Sequence, residues 1–361
     1  MARMILHTGM SKAGSTALQQ FLVENQSLLL TRGVTYFDLV RGPNHGQLAV
    51  AFSDQTGRVA RIFGVRHEQD RDRMRVRLRK RIAKNVSPDS TWIASSEHIG
   101  SQLRRPPEIA ALASFLGEFF DQITVVRVIR RADYWLPSSY VENVKAGGVQ
   151  PFDGRFVHWR RRQLNHRRHL WMWRKAFGQN NLVSVPFLES DTRSLSALPQ
   201  RVLEAVGLAD VASQPWRFPA DLANKSISAQ ATELLRHLNP SLDEHRLFPT
   251  RVRKQAIALL AQEWPGPRTV LTPSAAEALS AGGWTQAGAL RPADVQGPGW
   301  TAWEQQEPAP VQPSAEVSPG DLESATALLE RHGVIRRNGR TALRADMNAV
   351  VRDALIRVAR R

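Results

Sequence analysis

The residues best suited to chemistry lie near the start of the chain, where Gly9, Met10, Ser11, Lys12, Ala13, Gly14, Ser15 and Thr16 follow a short apolar run and open a helical pattern. A loop between strand and helix turns successive backbone N–H groups and the positive end of the helix dipole toward one point, a place for an anion. Gly9 and Gly14 let the backbone approach closely, Lys12 brings a movable positive charge, and Ser15 and Thr16 put hydroxyls in the first helical turn. The two glycines keep the spacing of the Walker A loop, G-x-x-x-x-G-K-[ST], yet Ser15 stands where that loop has lysine and the charge has moved to Lys12. Such a loop suits a phosphorylated donor other than the ATP of an ordinary kinase.

A second group lies further on. Arg130 ends an apolar run over 123–129, Ser138 follows eight residues later and Tyr140 two beyond that. Ligands of open α/β sheets bind beyond the carboxyl ends of the strands, so an arginine there, with a serine about two turns on, can hold a second anion from two sides. Arg131 and Ser139 share the separation, which leaves the register open by one residue, and Pro137 beside Ser138 predicts a turn rather than a continuous helix.

Lys12, Ala13, Gly14, Ser15 and Thr16 resemble the K-x-G-T/S-T core of the loop that holds the 5′-phosphosulfate in bacterial sulfotransferases dependent on 3′-phosphoadenosine 5′-phosphosulfate (PAPS), and 17–22 is similar to the continuation in that family. The resemblance implies a P-loop-like fold and a PAPS site made of Gly9, Ser11, Lys12, Ala13, Gly14, Ser15 and Thr16, with no metal. It also implies a 3′-phosphate held by Arg130 and Ser138, with Tyr140 as the aromatic that follows them. Weaker similarity over 173–187, 202–208, 224–228 and 234–239 extends the match from about residue 4 to 240.

Sulfuryl transfer to a hydroxyl, like phosphoryl transfer, needs aligned reactants, neutralisation of the leaving phosphate and a base for the acceptor proton. An apolar run over 91–95 leads into Ser96, Glu97 and His98, placing a carboxylate and an imidazole at a C-terminal strand edge. Similar chains carry an S-S-E there, which makes Glu97 the first candidate base. Asn44, His45, Gly46, Gln47, Leu48 and Ala49 resemble an N-H-x-x-L-A element of the same family, so His45 is a candidate for base or acceptor positioning, and His98 is a further alternative.

The elements that must position these groups are read from periodicity. Runs at 4–8, 91–95, 123–129 and 182–187 have the β-branched, continuously apolar look of buried parallel strands. Helical patterns at 16–30, 70–84, 108–120 and 164–177 separate them, so the fold class expected is α/β, a P-loop-like doubly wound parallel sheet with flanking helices plus a helical C-terminal tail. More helices are expected over 195–206, 228–238 and 249–263. The domain reading is 1–270 for the α/β domain, a Pro/Gly/Ala-rich linker at 282–319 and a small helical tail at 320–361.

Composition bounds the partners. With no cysteine among 361 residues, neither a disulfide framework nor a cysteine-ligated metal exists, and a cytoplasmic location is expected, with no signal peptide and no membrane span. The net charge of +16 is mostly arginine and attracts polyanions. The stretch 71–81 reads as one solvated helix face, whereas 158–168, interleaved with tryptophans, reads as the lining of a groove for an acidic or sugar-containing polymer. The acceptor expected is a hydroxyl-bearing molecule, carbohydrate among the candidates. The alternatives are a nucleic-acid-binding protein whose loop holds phosphate incidentally and a P-loop kinase with a displaced lysine. Against them, no helix-turn-helix, zinc-finger or RNP pattern occurs, so no specific nucleic acid is expected, and the third strand ends in Arg130 rather than an acidic metal ligand.

Overall fold

The computed structural model describes residues 1–36, 44–192, 196–208, 216–217, 227–243, 249–283, 290 and 297–335. Strands β1 (Arg3–His7), β2 (Val34–Tyr36), β3 (Thr91–Ser95), β4 (Gln122–Arg130) and β5 (Leu182–Phe187) form one parallel sheet in the order β2-β3-β1-β4-β5. In chain order the helices are α1 (Ser15–Glu24), α2 (Gln26–Leu30), α3 (Gly46–Phe52), α4 (Arg58–Ile62), α5 (Glu68–Asn85), α6 (Glu97–Gln102), α7 (Pro106–Gly117) and α8 (Ala132–Lys145). They continue with α9 (Gly154–Leu164), α10 (His166–Phe177), α11 (Ala197–Ala205), α12 (Ala229–Asp243), α13 (Pro249–Glu263), α14 (Pro273–Ala281), α15 (Trp300–Glu304) and α16 (Pro319–Arg331). Among the described residues no helix is long and apolar enough to cross a membrane.

The chain divides into two compact units. The first takes Met1–Leu136, His158–Asn224 and Glu277–Ala309 and contains the sheet. Its central strands are apolar on both faces, as strands covered on both sides by helices must be. On one face Met4, Leu6, Ile123, Val125 and Ile129 join a core with Leu48, Met74, Leu112, Phe115 and Trp173 from α3, α5, α7 and α10. On the other, α1 packs beside α11, and Phe21 of α1 meets Trp216 edge to face at 5.2 Å. The sheet is thus the doubly wound α/β arrangement that the periodicity predicts.

The second unit takes Pro137–Val157, Lys225–Ala276 and Pro310–Arg361. In it α12 packs on α13, and both pack on α16. Asn239 donates to the carbonyls of Val144 (2.9 Å) and Gly148 (2.8 Å), and Thr272 to that of Phe152 (2.6 Å).

Several boundaries differ from expectation. The helix over 16–30 is broken at Asn25, whose side chain donates to the carbonyl of Phe21 and accepts from the N–H of Arg217, tying the break to a distant segment. Pro137 lies inside α8, where a turn was expected; it sits in the second helical turn, at the cost of one hydrogen bond. The expected linker is ordered in its described part: Trp300 and Trp303 are buried in the sheet's core, and the indole of Trp300 donates to the carbonyl of Ser184 at 3.3 Å. Low average hydrophobicity hides two large anchors that bury enough apolar surface to order a short segment. The first half of the expected tail is α16, started by a capping box between Ser318 and Asp321; the pattern over 342–360 lies outside the described residues.

Candidate functional site

The register of the sheet assembles the candidate site in the first unit. His7 pairs with Ser95 of β3 and with Val126 of β4, so the segments that leave β1 and β3 emerge side by side at the C-terminal edge. Gly9 and Glu97, each two residues past that pairing, therefore begin the loop and α6 next to one another. The N–H of Ser96 donates to the carbonyl of His7 at 3.1 Å, which fixes this junction.

The loop is held from outside. The indole of Trp135 donates to the carbonyl of Ser11 at 2.8 Å, and Arg130 Nη1 donates to that of Lys12 at 3.0 Å. Lys12 and Gly14 both have positive φ, 62° and 78°. Alternating left-handed residues, with carbonyls drawn outward to donors, turn the intervening N–H groups to the concave side, the geometry of an anion nest. The nest feeds directly into α1, whose first turn has no side-chain cap and no acidic residue. An uncapped helix N-terminus keeps its positive end for a ligand. Ser15 is buried and its Oγ has no hydrogen-bond partner among the described residues, whereas Thr16 is exposed. A Cβ on Gly14 would come within 2.3 Å of Leu198 and 2.9 Å of Phe187, so both the left-handed backbone and the packing demand glycine.

Arg130 is itself fixed. Its Nε and Nη2 make a two-pronged ion pair with the carboxylate of Glu189 at 2.7 and 2.8 Å, and its guanidinium lies 5.0 Å from the Phe187 ring centroid. Burial pushes the Glu189 carboxyl up, with the charge of Arg130 opposing that rise. Arg130 thereby braces the loop. Ser138 and Tyr140 belong to the second unit. Tyr140 is fully buried there, stacked on Phe152 at 4.7 Å with its hydroxyl donated to Glu233, so its ring is part of that unit's core. Arg131, the other register, pairs with Asp133 at 2.7 Å.

The three candidate bases gather around the end of β3. Glu97 is the first residue of α6, half-buried, behind an N-cap in which Ser96 accepts from the N–H of His98 and donates to Asn44 at 2.6 Å. His45 is buried, with Nδ1 3.0 Å from the N and 3.1 Å from the O of Ser95. Burial lowers the pKa of His98, with Glu97 opposing.

No family model matches this chain, and no curated protein matches it. Among solved structures, a sulfotransferase from Alicyclobacillus acidocaldarius is similar, with a TM-score of 0.39 and 11% identity over 60% of this chain and 85% of that one.

Sequence reasoning missed a layer beneath the loop. His7 is completely buried, its Nδ1 2.8 Å from Ser95 Oγ, which also receives Gln19 at 3.3 Å; its Nε2 has no partner among the described residues. Burial, then the charge of Arg127, lower His7 to about 3, so it is neutral at working pH. Arg127, on the opposite face of β4 from Arg130, is buried without a carboxylate partner among the described residues. Its Nη1 reaches the carbonyl of Thr8 at 3.4 Å, and burial lowers it to about 10. A Cβ on Gly100 would lie 2.6 Å from the Thr8 carbonyl and 3.0 Å from Arg127, so glycine lets α6 settle against loop and guanidinium together. The sequence signals were a histidine at the end of β1 and an arginine between valines in β4.

Proposed function

We propose that the protein transfers a sulfuryl group from PAPS to an acceptor hydroxyl. The observation that carries this reading is the nest of Gly9–Gly14, opened toward an uncapped α1 by Trp135 and Arg130, with its lysine inside the loop at position 12 and serine where a nucleotide kinase has lysine. PAPS supplies the activated sulfuryl group. Backbone N–H groups of the nest and the hydroxyls of Ser15 and Thr16 hold its 5′ end, and Lys12 offsets the charge that builds on the leaving phosphate. Glu97, beside the loop, takes the acceptor proton, with His45 orienting the acceptor or acting as base and His98 as a further alternative base. Arg130 is the residue of this unit proposed for the 3′-phosphate, which means sharing or exchanging its carboxylate partner Glu189.

Calorimetry with adenosine 3′,5′-bisphosphate tests the reading. The expected result is binding at least tenfold tighter than that of AMP or ATP. Equal affinity for AMP, or turnover of ATP with Mg²⁺, overturns it. Within the reading, Glu97→Gln should lower transfer by about 10²–10⁴-fold while leaving bisphosphate affinity unchanged.

A further inference from the structure

Helices α9 and α10 carry a feature that donor binding does not use. Between Gly154 and Leu188 the chain has eight arginines and lysines and not one acidic residue. The apolar stripe of α10, His166, Leu170, Trp173 and Phe177, is buried. Its solvent face is Arg167, Arg168, Trp171 and Lys175, residues at helical spacing and therefore neighbours on one surface. Arg161 and Arg162, at the end of α9, and a 56% exposed Trp159 are exposed too, and His169 Nε2 of α10 lies 3.0 Å from the Arg162 carbonyl, which holds the end of α9 to the start of α10. Among the described residues none of Arg161, Arg162, Arg167, Arg168 and Lys175 has a carboxylate partner. Trp171 is 48% exposed, and Lys175 stands 5.4 Å from its ring centroid, so the indole is ordered as a platform rather than tucked into the core.

The surface is also well placed. The end of α10 leads through Gly178–Asn181 into the start of β5, so the helix runs antiparallel to the sheet. Its first turn therefore lies at the C-terminal edge, the edge from which the phosphate loop rises. Behind it, His166 and His169 are held near a pKa of 3 by burial and by the charge of Arg127, the arginine that also touches the Thr8 carbonyl.

We infer that the solvent face of α9 and α10 binds an anionic polysaccharide, with Trp171 stacking on a sugar ring and Arg161, Arg162, Arg167, Arg168 and Lys175 holding its carboxylate or sulfate groups. Charge complementarity calls for a polyanion, since no acidic residue of these helices answers the cations. Two exposed indoles among guanidinium groups suit ring-bearing units spaced by charge. The choice of sugar over DNA rests on the proposed reaction: a polysaccharide offers an acceptor hydroxyl on every unit, and DNA offers none along its chain.

The test uses the full chain and four probes: a polygalacturonate octasaccharide, the neutral maltooctaose, single-stranded DNA of about 16 nucleotides and inorganic polyphosphate. Titration calorimetry at low and at physiological salt should show polygalacturonate binding and no maltooctaose binding. Trp171→Ala should weaken polygalacturonate at least tenfold at both salt concentrations, and the pair Arg167→Ala and Arg168→Ala should weaken it mainly at low salt. DNA or polyphosphate binding as tightly, with Trp171→Ala without effect, identifies a general polyelectrolyte or nucleic-acid surface and overturns the inference. So does a mass in solution that doubles with concentration and reverts in Trp171→Ala, which makes the face a contact between copies. Both helices keep their buried stripes in these variants, and circular dichroism checks that they fold. Adenosine 3′,5′-bisphosphate titrated into the same samples separates the two ideas: its failure to bind sinks the sulfuryl-transfer reading alone, and failure of polygalacturonate sinks the surface alone.

Discussion

Helix α5 and the face of α9 and α10 are equally rich in arginine and opposite in character. Along α5, Arg71 and Arg75 reach Glu68 at 2.9 and 2.7 Å, Arg75 also meets Asp72 at 2.6 Å, and Arg79 crosses to Glu118 at 2.6 Å. On the solvent face of α9 and α10, Arg161, Arg162, Arg167, Arg168 and Lys175 have no such partners among the described residues, although Arg155 at the start of α9 pairs with Asp153 at 2.9 Å. The α5 arginines are therefore structural, laced to their own helix and to α7, whereas those of the second face keep their field for something outside the molecule. Counter-charge, rather than charge density, tells the two apart. The same contrast recurs across β4, where among the described residues Arg130 is answered by Glu189 and Arg127 by no carboxylate.

Acid should separate the regions most strongly. Burial keeps His7, His166 and His169 neutral in the folded state down to about pH 3, while the unfolded chain protonates them near 6.5. The unfolded state then binds more protons between those values, so stability is full above 6.5 and falls as pH drops below it, by up to about 1.4 kcal/mol per pH unit for each histidine. The Glu68 carboxyl, depressed chiefly by its hydrogen bond to Arg75, contributes stability that is present above the ordinary carboxylate range and lost only as pH falls through it. Hydrogen exchange at about pH 5 should show α10 and β1 losing protection before α5. Loss of α5 first would break the comparison.

The β4 pair gives the next effect. Arg130→Met strands a half-buried Glu189 and should cost about 2 kcal/mol in urea unfolding, because breaking one side of a largely desolvated pair leaves the other charge uncompensated. Arg127→Met removes a buried charge that has no carboxylate partner among the described residues and should leave stability unchanged or raised. Equal losses in both would mean that Arg127 has a counter-charge after all.

Smallest are the surface variants, which sharpen the contrast directly. Arg75→Ala should lower stability by about 1 kcal/mol and leave polyanion binding alone. Replacing Arg161, Arg162, Arg167 and Arg168 by alanine should leave the unfolding midpoint nearly unchanged, yet weaken polygalacturonate on the order of 100-fold at low salt. A swapped pattern, binding lost at Arg75 and stability lost at the four, would refute the distinction.

What could be read from the sequence was what neighbours along the chain decide. The strand–loop–helix around Lys12, the apolar strands of the sheet and the acid-free run after Asp153 are each set by local conformational preference, periodicity or composition, and each is present in the structure. What the fold alone decided lies between residues far apart in the chain. Arg130 meets Glu189, 59 residues away; Trp135 meets Ser11, 124 away; and Trp300 seals β5, 116 residues beyond Ser184. The three-residue β2 was too short to show a period, and Arg127 looked like any other arginine until burial made its charge expensive. Local rules specify which groups can bind an anion. Only the register of the sheet and the packing on it specify which of those groups are already answered by a partner and which still hold a charge, or an orphaned buried hydroxyl such as Ser15, for a ligand.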